Sequence, residues 1–353
     1  MELAAGIDFG GTSAKIGLVD RGGKILARSH VSMDARESFE GIVEPVARSL
    51  RELVERESAG ARVRTIGICT PGFIDKSDGN LIGGCNNIPS LQHRSVQRYL
   101  AESFGLPAFA ENDATSAAAG ELAFGAGRRF ASFVFITVGT AIGGGLVFDR
   151  KVYRGSKGFA GEIGHLCVVP GGLWCNCGSR GCFEQYASGT AILRVYREKA
   201  QKRGQACTDC ESPRDVVQRA RGGDRLAQDT LEEAGSWIAQ AFGTLLNVLN
   251  VEACLVGGGV SEAGELLLEP IRRHLPDHCW SQIGEGVQVL AAELRNDAGI
   301  LGAAAQAFER LESLAVAGGT DIPGRASKPG GSDTTGRPAA PVRPSRPVGR
   351  SGA

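Results

Sequence analysis

Apolar residues recur along this chain with two alternating periods. Leu3–Asp8, Lys15–Asp20 and Lys24–Val31 read as short half-buried strands joined by glycine turns, with Asp20-Arg-Gly-Gly as a hairpin. Phe39–Ser58 switches to helical spacing, and Val63–Cys69 is a β-branched strand ending at Pro71-Gly72. Ser95–Phe104 predicts a helix, Pro107–Ala110 a strand and Ala114–Phe124 an alanine-rich helix. The first half is therefore β-β-β-α-β-α-β-α.

The order then recurs. Phe133–Val138, Gly144–Phe148 and Val152–Tyr153 predict a second run of strands connected by glycines. Helices are expected at Ser188–Lys202, Pro213–Arg221 and Asp224–Leu249, then a strand at Ala253–Val256 and a helix at Gly264–Leu275. A strand at Val287–Ala291 and a helix at Ala298–Leu314 close the pattern. Two similar halves, each opening with a β-meander, predict a duplicated α/β unit with a cleft between the copies. A ligand would sit in that cleft.

Composition narrows the function. A chain of 353 residues predicts two domains. Lysine plus arginine and aspartate plus glutamate are both 39, so the basic excess of a phosphate-tracking nucleic-acid protein is missing. The N-terminus has neither the basic start nor the long apolar run of a signal peptide. The apolar stretch Leu245–Val260 is interrupted by Asn247, Asn250 and Glu252, so no membrane span is expected. Ten cysteines in such a chain point to reduced thiols or metal ligands and to a cytoplasmic protein. Ala317–Ala353 carries six prolines, eight glycines and six basic residues, which predicts a disordered tail over 316–353.

Three glycine clusters sit at strand ends. In Asp8-Phe-Gly-Gly-Thr-Ser-Ala-Lys15, Gly10 and Gly11 allow close backbone approach to an anion. Thr12 adds a hydroxyl, Lys15 a positive charge, and Asp8 a carboxylate able to hold Mg²⁺ directly or through water. Thr137-Val-Gly-Thr-Ala-Ile-Gly-Gly-Gly145 repeats the strand–turn–strand arrangement in the second half, and Leu255-Val-Gly-Gly-Gly-Val260 follows a strand and is expected to open a helix. Two facing loops could grip a polyphosphate, and the third suits the α-phosphate or adenosine end of a nucleotide.

Asp113, in Ala110-Glu-Asn-Asp113, lies where a strand hands over to a helix. It reads either as an N-cap or as a carboxylate taking the proton of a hydroxyl that attacks phosphorus. Asn112 offers a donor and an acceptor to a polyol. Gly161-Glu-Ile-Gly-His165 and Trp174-Cys-Asn-Cys-Gly-Ser-Arg-Gly-Cys-Phe-Glu184 supply His165, Cys175, Cys177 and Cys182, a ligand set for a closed, structural Zn²⁺ site. Glu162 and Glu184 flank it as candidate hydroxyl acceptors. Cys69, Cys85, Cys167 and Cys254 read as buried small apolar residues. Cys207-Thr-Asp-Cys210 lacks a second pair for a metal.

Taken together these stretches, with Cys69-Thr-Pro-Gly-Phe-Ile-Asp75, Asn87-Ile-Pro89 and Leu294-Arg-Asn-Asp-Ala-Gly-Ile-Leu-Gly-Ala-Ala304, resemble the ROK family of repressors and sugar kinases over about Leu3–Leu314. The resemblance implies duplicated ribonuclease-H-like domains of the actin-like ATPase type: residues 1–113, joined by a returning helix at 298–315, and residues 114–297. It implies an ATP- and Mg²⁺-dependent hexose kinase most like the glucokinases, acting at O6. Asp113 matches the general base, and Gly72, Asn87, Asn112, Glu162, His165 and Glu184 match sugar-contacting positions. Asp8, Gly10, Gly11, Thr12, Lys15, Gly139, Thr140, Gly143 and Gly144 match phosphate positions, and Gly257, Gly258 and Gly259 the nucleotide region. His165 would serve both zinc and sugar, and a homodimer or homotetramer is implied.

Gly139-Thr-Ala141 stands where the family often has Gly-Thr-Gly, and Thr115 where asparagine is frequent. The family's repressors carry an additional N-terminal helix-turn-helix, for which Asp8 leaves no room, so a repressor is not expected. A kinase for N-acetylmannosamine, N-acetylglucosamine or another hexose is the alternative within catalysis, and a non-catalytic sugar-binding regulator the alternative outside it. Relatives using polyphosphate tend to lack the zinc cysteines found here.

Overall fold

The computed structural model describes residues 1–57, 61–204 and 209–316. The chain opens with β1 (Glu2–Phe9), β2 (Ser13–Asp20) and β3 (Ile25–Ser32), followed by α1 (Phe39–Glu57) and β4 (Arg62–Thr70). A small ribbon, β5 (Phe73–Ile74) and β6 (Leu81–Gly83), precedes α2 (Val96–Phe104), β7 (Ala108–Asn112) and α3 (Asp113–Phe124). The second run is β8 (Phe133–Val138), β9 (Ile142–Phe148) and β10 (Lys151–Tyr153), then α4 (Glu184–Ala187), α5 (Gly189–Lys202), α6 (Pro213–Arg221) and α7 (Arg225–Leu249). It closes with β11 (Ala253–Gly257), α8 (Glu265–His274), α9 (Ser281–Gly284), β12 (Gln288–Ala291) and α10 (Ala298–Val316).

Two five-stranded sheets share one topology. The first runs β3-β2-β1-β4-β7 and the second β10-β9-β8-β11-β12. In each, an antiparallel meander continues into parallel strands: β1 pairs antiparallel with β2 and parallel with β4, as β8 does with β9 and β11. The parallel strands are short continuous apolar runs because helices cover both faces. β11 is buried at all five positions.

Local chemistry sets the helix boundaries. Ser95, Ser188 and Asp224 cap α2, α5 and α7 by accepting backbone N–H bonds, and Ser212 with Asp215 forms a capping box on α6. These caps lie at or beside the starts read from sequence. The β5–β6 ribbon, α4 and α9 have no counterpart in the sequence pattern. They are two to four residues long, too short for a periodicity to register.

The final helix returns across the chain. α10 packs on β1, β4 and α3, and a β-carbon on Gly67 would stand 1.9 Å from the Ala303 carbonyl oxygen. Glycine in β4 is what lets helix and sheet approach so closely. Val316, assigned to the tail from sequence, ends this helix, while the rest of the tail and Cys207 lie outside the described residues. Among the described residues no helix is long and apolar enough to cross a membrane.

Candidate active site

Asp8 ends β1 and Asp113 opens α3, and both line one cavity of about 210 Å³ between the sheets. Cys69, Thr137, Gly257, Gly258, Ser261, Arg295 and Gly299 are also in its wall. Cys69 is buried, as expected from sequence, yet it also stands between the two carboxylates. Its thiol donates to Asp8 Oδ1 at 3.4 Å. Burial pushes that thiol well above its ordinary pKa, and the charges of Asp8 and Asp113 add to the effect.

The cap of α3 is Asn112 rather than Asp113. Asn112 Oδ1 accepts the N–H groups of Ala114 and Thr115 at 3.0 and 3.1 Å, and Nδ2 donates to the Gly72 carbonyl at 3.3 Å. Both lone pairs of the amide oxygen are thereby engaged, and the Asn112 side chain also hydrogen-bonds the Asp113 carboxylate. Asp113, relieved of capping, sits one residue inside the helix with Oδ1 2.8 Å from Ala114 N. Its carboxylate opens onto the cleft, but protein packs around it. Desolvation therefore raises its pKa, the Ala114 N–H opposes the rise, and Asp8 adds to it.

The glycine turns converge unequally on this space. Gly10 N–H closes the first turn on Ser13 O at 2.9 Å, and Gly11 leans toward Asn87. Gly10, Gly11, Thr12, Gly139, Thr140, Gly143, Gly144 and Gly259 stand outside the cavity wall, which takes Gly257 and Gly258 from the third cluster. Gly258 has φ +83° and lies so close to Val138 that a β-carbon would be 2.5 Å from that carbonyl oxygen. The third cluster opens a 3₁₀ turn, Gly259–Ala263, before α8, and not an α-helix directly. Lys15 pairs with Asp8 at 3.7 Å and with the Asn296 carbonyl at 3.4 Å, bridging β2 to the segment before α10.

That segment was present in the sequence only as part of the family resemblance. Arg295, with φ +49°, lines the cavity, and Arg28 on β3 holds Asp297 through two N–H···O contacts. Fully buried Glu121 on α3 accepts the N–H groups of Ala126 at 2.8 Å, Glu293 at 3.2 Å and Leu294 at 2.8 Å. The helix that begins with Asp113 is thus tied to the wall carrying Arg295. An isolated glutamate in an alanine-rich helix carries no sequence signal for this.

The zinc ligands assemble as one cluster. His165 Nδ1 is 3.6 Å from Cys175 Sγ, Cys177 Sγ is 3.6 Å from Cys182 Sγ, and all four ligand atoms lie within 4.8 Å of one another. Tetrahedral Zn²⁺ at roughly 2.0–2.3 Å from each ligand separates them by a similar spacing, so the Cys₃His set fits the ion. The other ring nitrogen, Nε2, is 3.8 Å from Glu162 Oε2. Burial raises the Glu162 pKa, His165 pulls it down, and Asp113 and Glu184 push it up again. Glu184 Oε2 accepts the Ile142 N–H at 3.1 Å, linking the cluster to the second glycine loop. Cys167 is exposed, not buried as its apolar neighbours suggested: its backbone bridges to Cys182, while its thiol lies 3.6 Å from the Arg180 carbonyl, outside the buried core.

Comparison with known proteins agrees with this architecture. Residues 4–310 match the ROK family. A glucokinase from Thermotoga maritima is 36% identical over 313 residues, spanning 87% of this chain and 97% of its own. A ROK family glucokinase from Streptomyces griseus, solved in complex with glucose and AMPPNP, is 36% identical with a TM-score of 0.74, covering 87% of this chain and 99% of that one. A xylose repressor from Bacillus spizizenii is 30% identical over 246 residues, 70% of this chain and 61% of its own. With paired actin-like sheets and a match across nearly all the described residues, the chain belongs to the ROK family.

Proposed function

We propose that this protein is an ATP-dependent hexose kinase whose preferred substrate is glucose, phosphorylated at O6. One observation carries the reading: a single cavity is walled by Asp8 at the end of β1, Asp113 at the start of α3, and the glycine turn after β11. A carboxylate for the nucleophile and one backbone turn for a phosphate therefore face the same space. The similarity to two glucokinases supports glucose among the hexoses.

Asp113 accepts the proton of the sugar hydroxyl as its oxygen attacks the γ-phosphorus. The new O–P bond forms while the bond to the ADP oxygen breaks. The raised pKa strengthens Asp113 as a base. Asn112, Glu162, His165 and Glu184 hold the sugar, with Gly72 and Asn87 at its edge. Asp8 would hold Mg²⁺, which when bound would supply charge to neutralise the phosphate oxygens, while Gly10, Gly11, Thr12, Lys15 and the Gly139–Gly144 loop bind phosphates and Gly257–Gly259 the nucleotide. A Zn²⁺ ion in the Cys₃His cluster would fix the His165 ring so that Nε2 faces the sugar side.

ADP release by the purified protein with MgATP across hexoses and N-acetylhexosamines tests this. Preference for glucose supports the reading, and preference for an N-acetylated sugar moves the substrate while keeping the chemistry. The repressor relative supports a second reading, a sugar-binding regulator. Sugar-induced stabilisation without turnover would favour it.

A further inference from the structure

Glu111, immediately before Asn112 and Asp113, is buried with its side chain 6% exposed, and it holds two arginines. Arg154 Nε lies 2.6 Å and Arg310 Nη2 3.1 Å from the same oxygen, Glu111 Oε2. Glu111 and Arg310 belong to β7 and α10, which pack together on the first sheet. Arg154 comes just after β10, the edge strand of the second sheet. Its Nη2 also lies 3.7 Å from Glu309. The pair therefore joins the strand that presents Asp113 to the other half of the molecule.

The segment beyond Arg154 leads to the sugar side of the site. Residues 155–161 run directly into Glu162, and they are held against the first half at two further points. Lys76 Nζ donates to the Gly155 carbonyl at 2.9 Å, and the Phe73 and Phe159 rings lie 5.2 Å apart. The segment spans from the base-bearing strand to the carboxylate beside His165. Replacing a buried charge pair by apolar residues is often neutral or stabilising, so the role of this one is sought in the geometry it sets.

We propose that Arg154 is a positioning residue: through Glu111 it sets where Glu162 and His165 stand relative to Asp113. The inference rests on the kinase reading and concerns its sugar side. Arg154→Met is the informative variant, because Glu111 keeps Arg310 as a partner and no buried carboxylate is orphaned. A displacement of even about 1 Å in a substrate-holding group is costly, so the hexose KM and the hexose Kd by calorimetry rise about tenfold or more. The ATP KM stays within about twofold, and Arg154→Lys, keeping one charge contact, falls between the two proteins.

Unchanged hexose affinity in Arg154→Met, or hexose and ATP constants moving together with a lowered Tm, overturns the proposal. Should that variant fail to fold, Lys76→Ala decides: removing its surface contact raises the hexose Kd selectively, and no change overturns the idea. Calorimetry separates the two claims. Wild-type protein that binds a hexose without phosphorylating it defeats the kinase reading, while the variant's Kd still tests Arg154. Wild-type protein that binds no hexose defeats both.

Discussion

A β-carbon placed on Gly299 would fall 2.5 Å from the carboxylate carbon of Asp8. The first turn of α10 thus sits against the acid that ends β1, with no room for a methyl group. Gly299→Ala must displace the carboxylate or the helix, although alanine itself favours helix. The expected result is a fall in kcat of about tenfold or more, from a shift of an ångström or less at Asp8. Hexose affinity measured by calorimetry stays near wild type. Wild-type kcat in this variant would remove Asp8 from the phosphate side of the site.

Asp113→Ala tests the base. A positioned general base contributes about 10²–10⁴-fold, so kcat falls to roughly 1% or below while glucose still binds. Retention of more than a few per cent of turnover contradicts the assignment.

The same residue makes a stability prediction of definite sign. Its folded pKa is raised by desolvation and by Asp8, so the folded protein holds that proton to higher pH than the unfolded chain does. Stability is lost as pH rises from the unfolded pKa through the folded one, and the full penalty is present above both. Asp113→Asn removes the charge. It should melt at higher temperature than wild type at pH 7, with the difference closing as the pH falls through the folded pKa of Asp113. A lower Tm for the variant at pH 7 contradicts the electrostatic account.

Metal analysis should find about one zinc per chain, as a closed four-ligand site requires, and Cys177→Ser should lose it. Because His165 lies in the cluster by one nitrogen and 3.8 Å from Glu162 by the other, chelation should weaken sugar binding as well. Full hexose affinity in metal-free protein separates the cluster from the sugar site.

Glu121→Ala leaves the buried Ala126 N–H and the part-buried Glu293 and Leu294 N–H groups without their acceptor. One buried orphaned donor costs about 1–3 kcal/mol and the two part-buried ones less, so a loss of about 2 kcal/mol or more is expected from urea unfolding. A loss below about 1 kcal/mol would mean that other acceptors replace the carboxylate.

The repeated meander, the helix starts at Ser95, Ser188 and Asp224, the glycine turns and the Cys₃His ligands were all legible in the sequence, because each depends on residues near one another in the chain. Spacing and side-chain type suffice for such features. Other features needed the tertiary structure. Asn112 displaced Asp113 as the cap, since which side chain turns back to the helix depends on how β7 delivers the chain. Cys69 became a cavity wall between two acids, and Cys167 an exposed thiol, through packing that apolar neighbours do not reveal. The Glu121 tie to Leu294 and the Glu111–Arg154–Arg310 cluster join residues 43 to 199 positions apart. Local sequence encodes elements because their hydrogen bonds close within a few residues. Buried charge contacts between distant segments exist only once the two sheets and α10 have packed, so tertiary structure alone decided them.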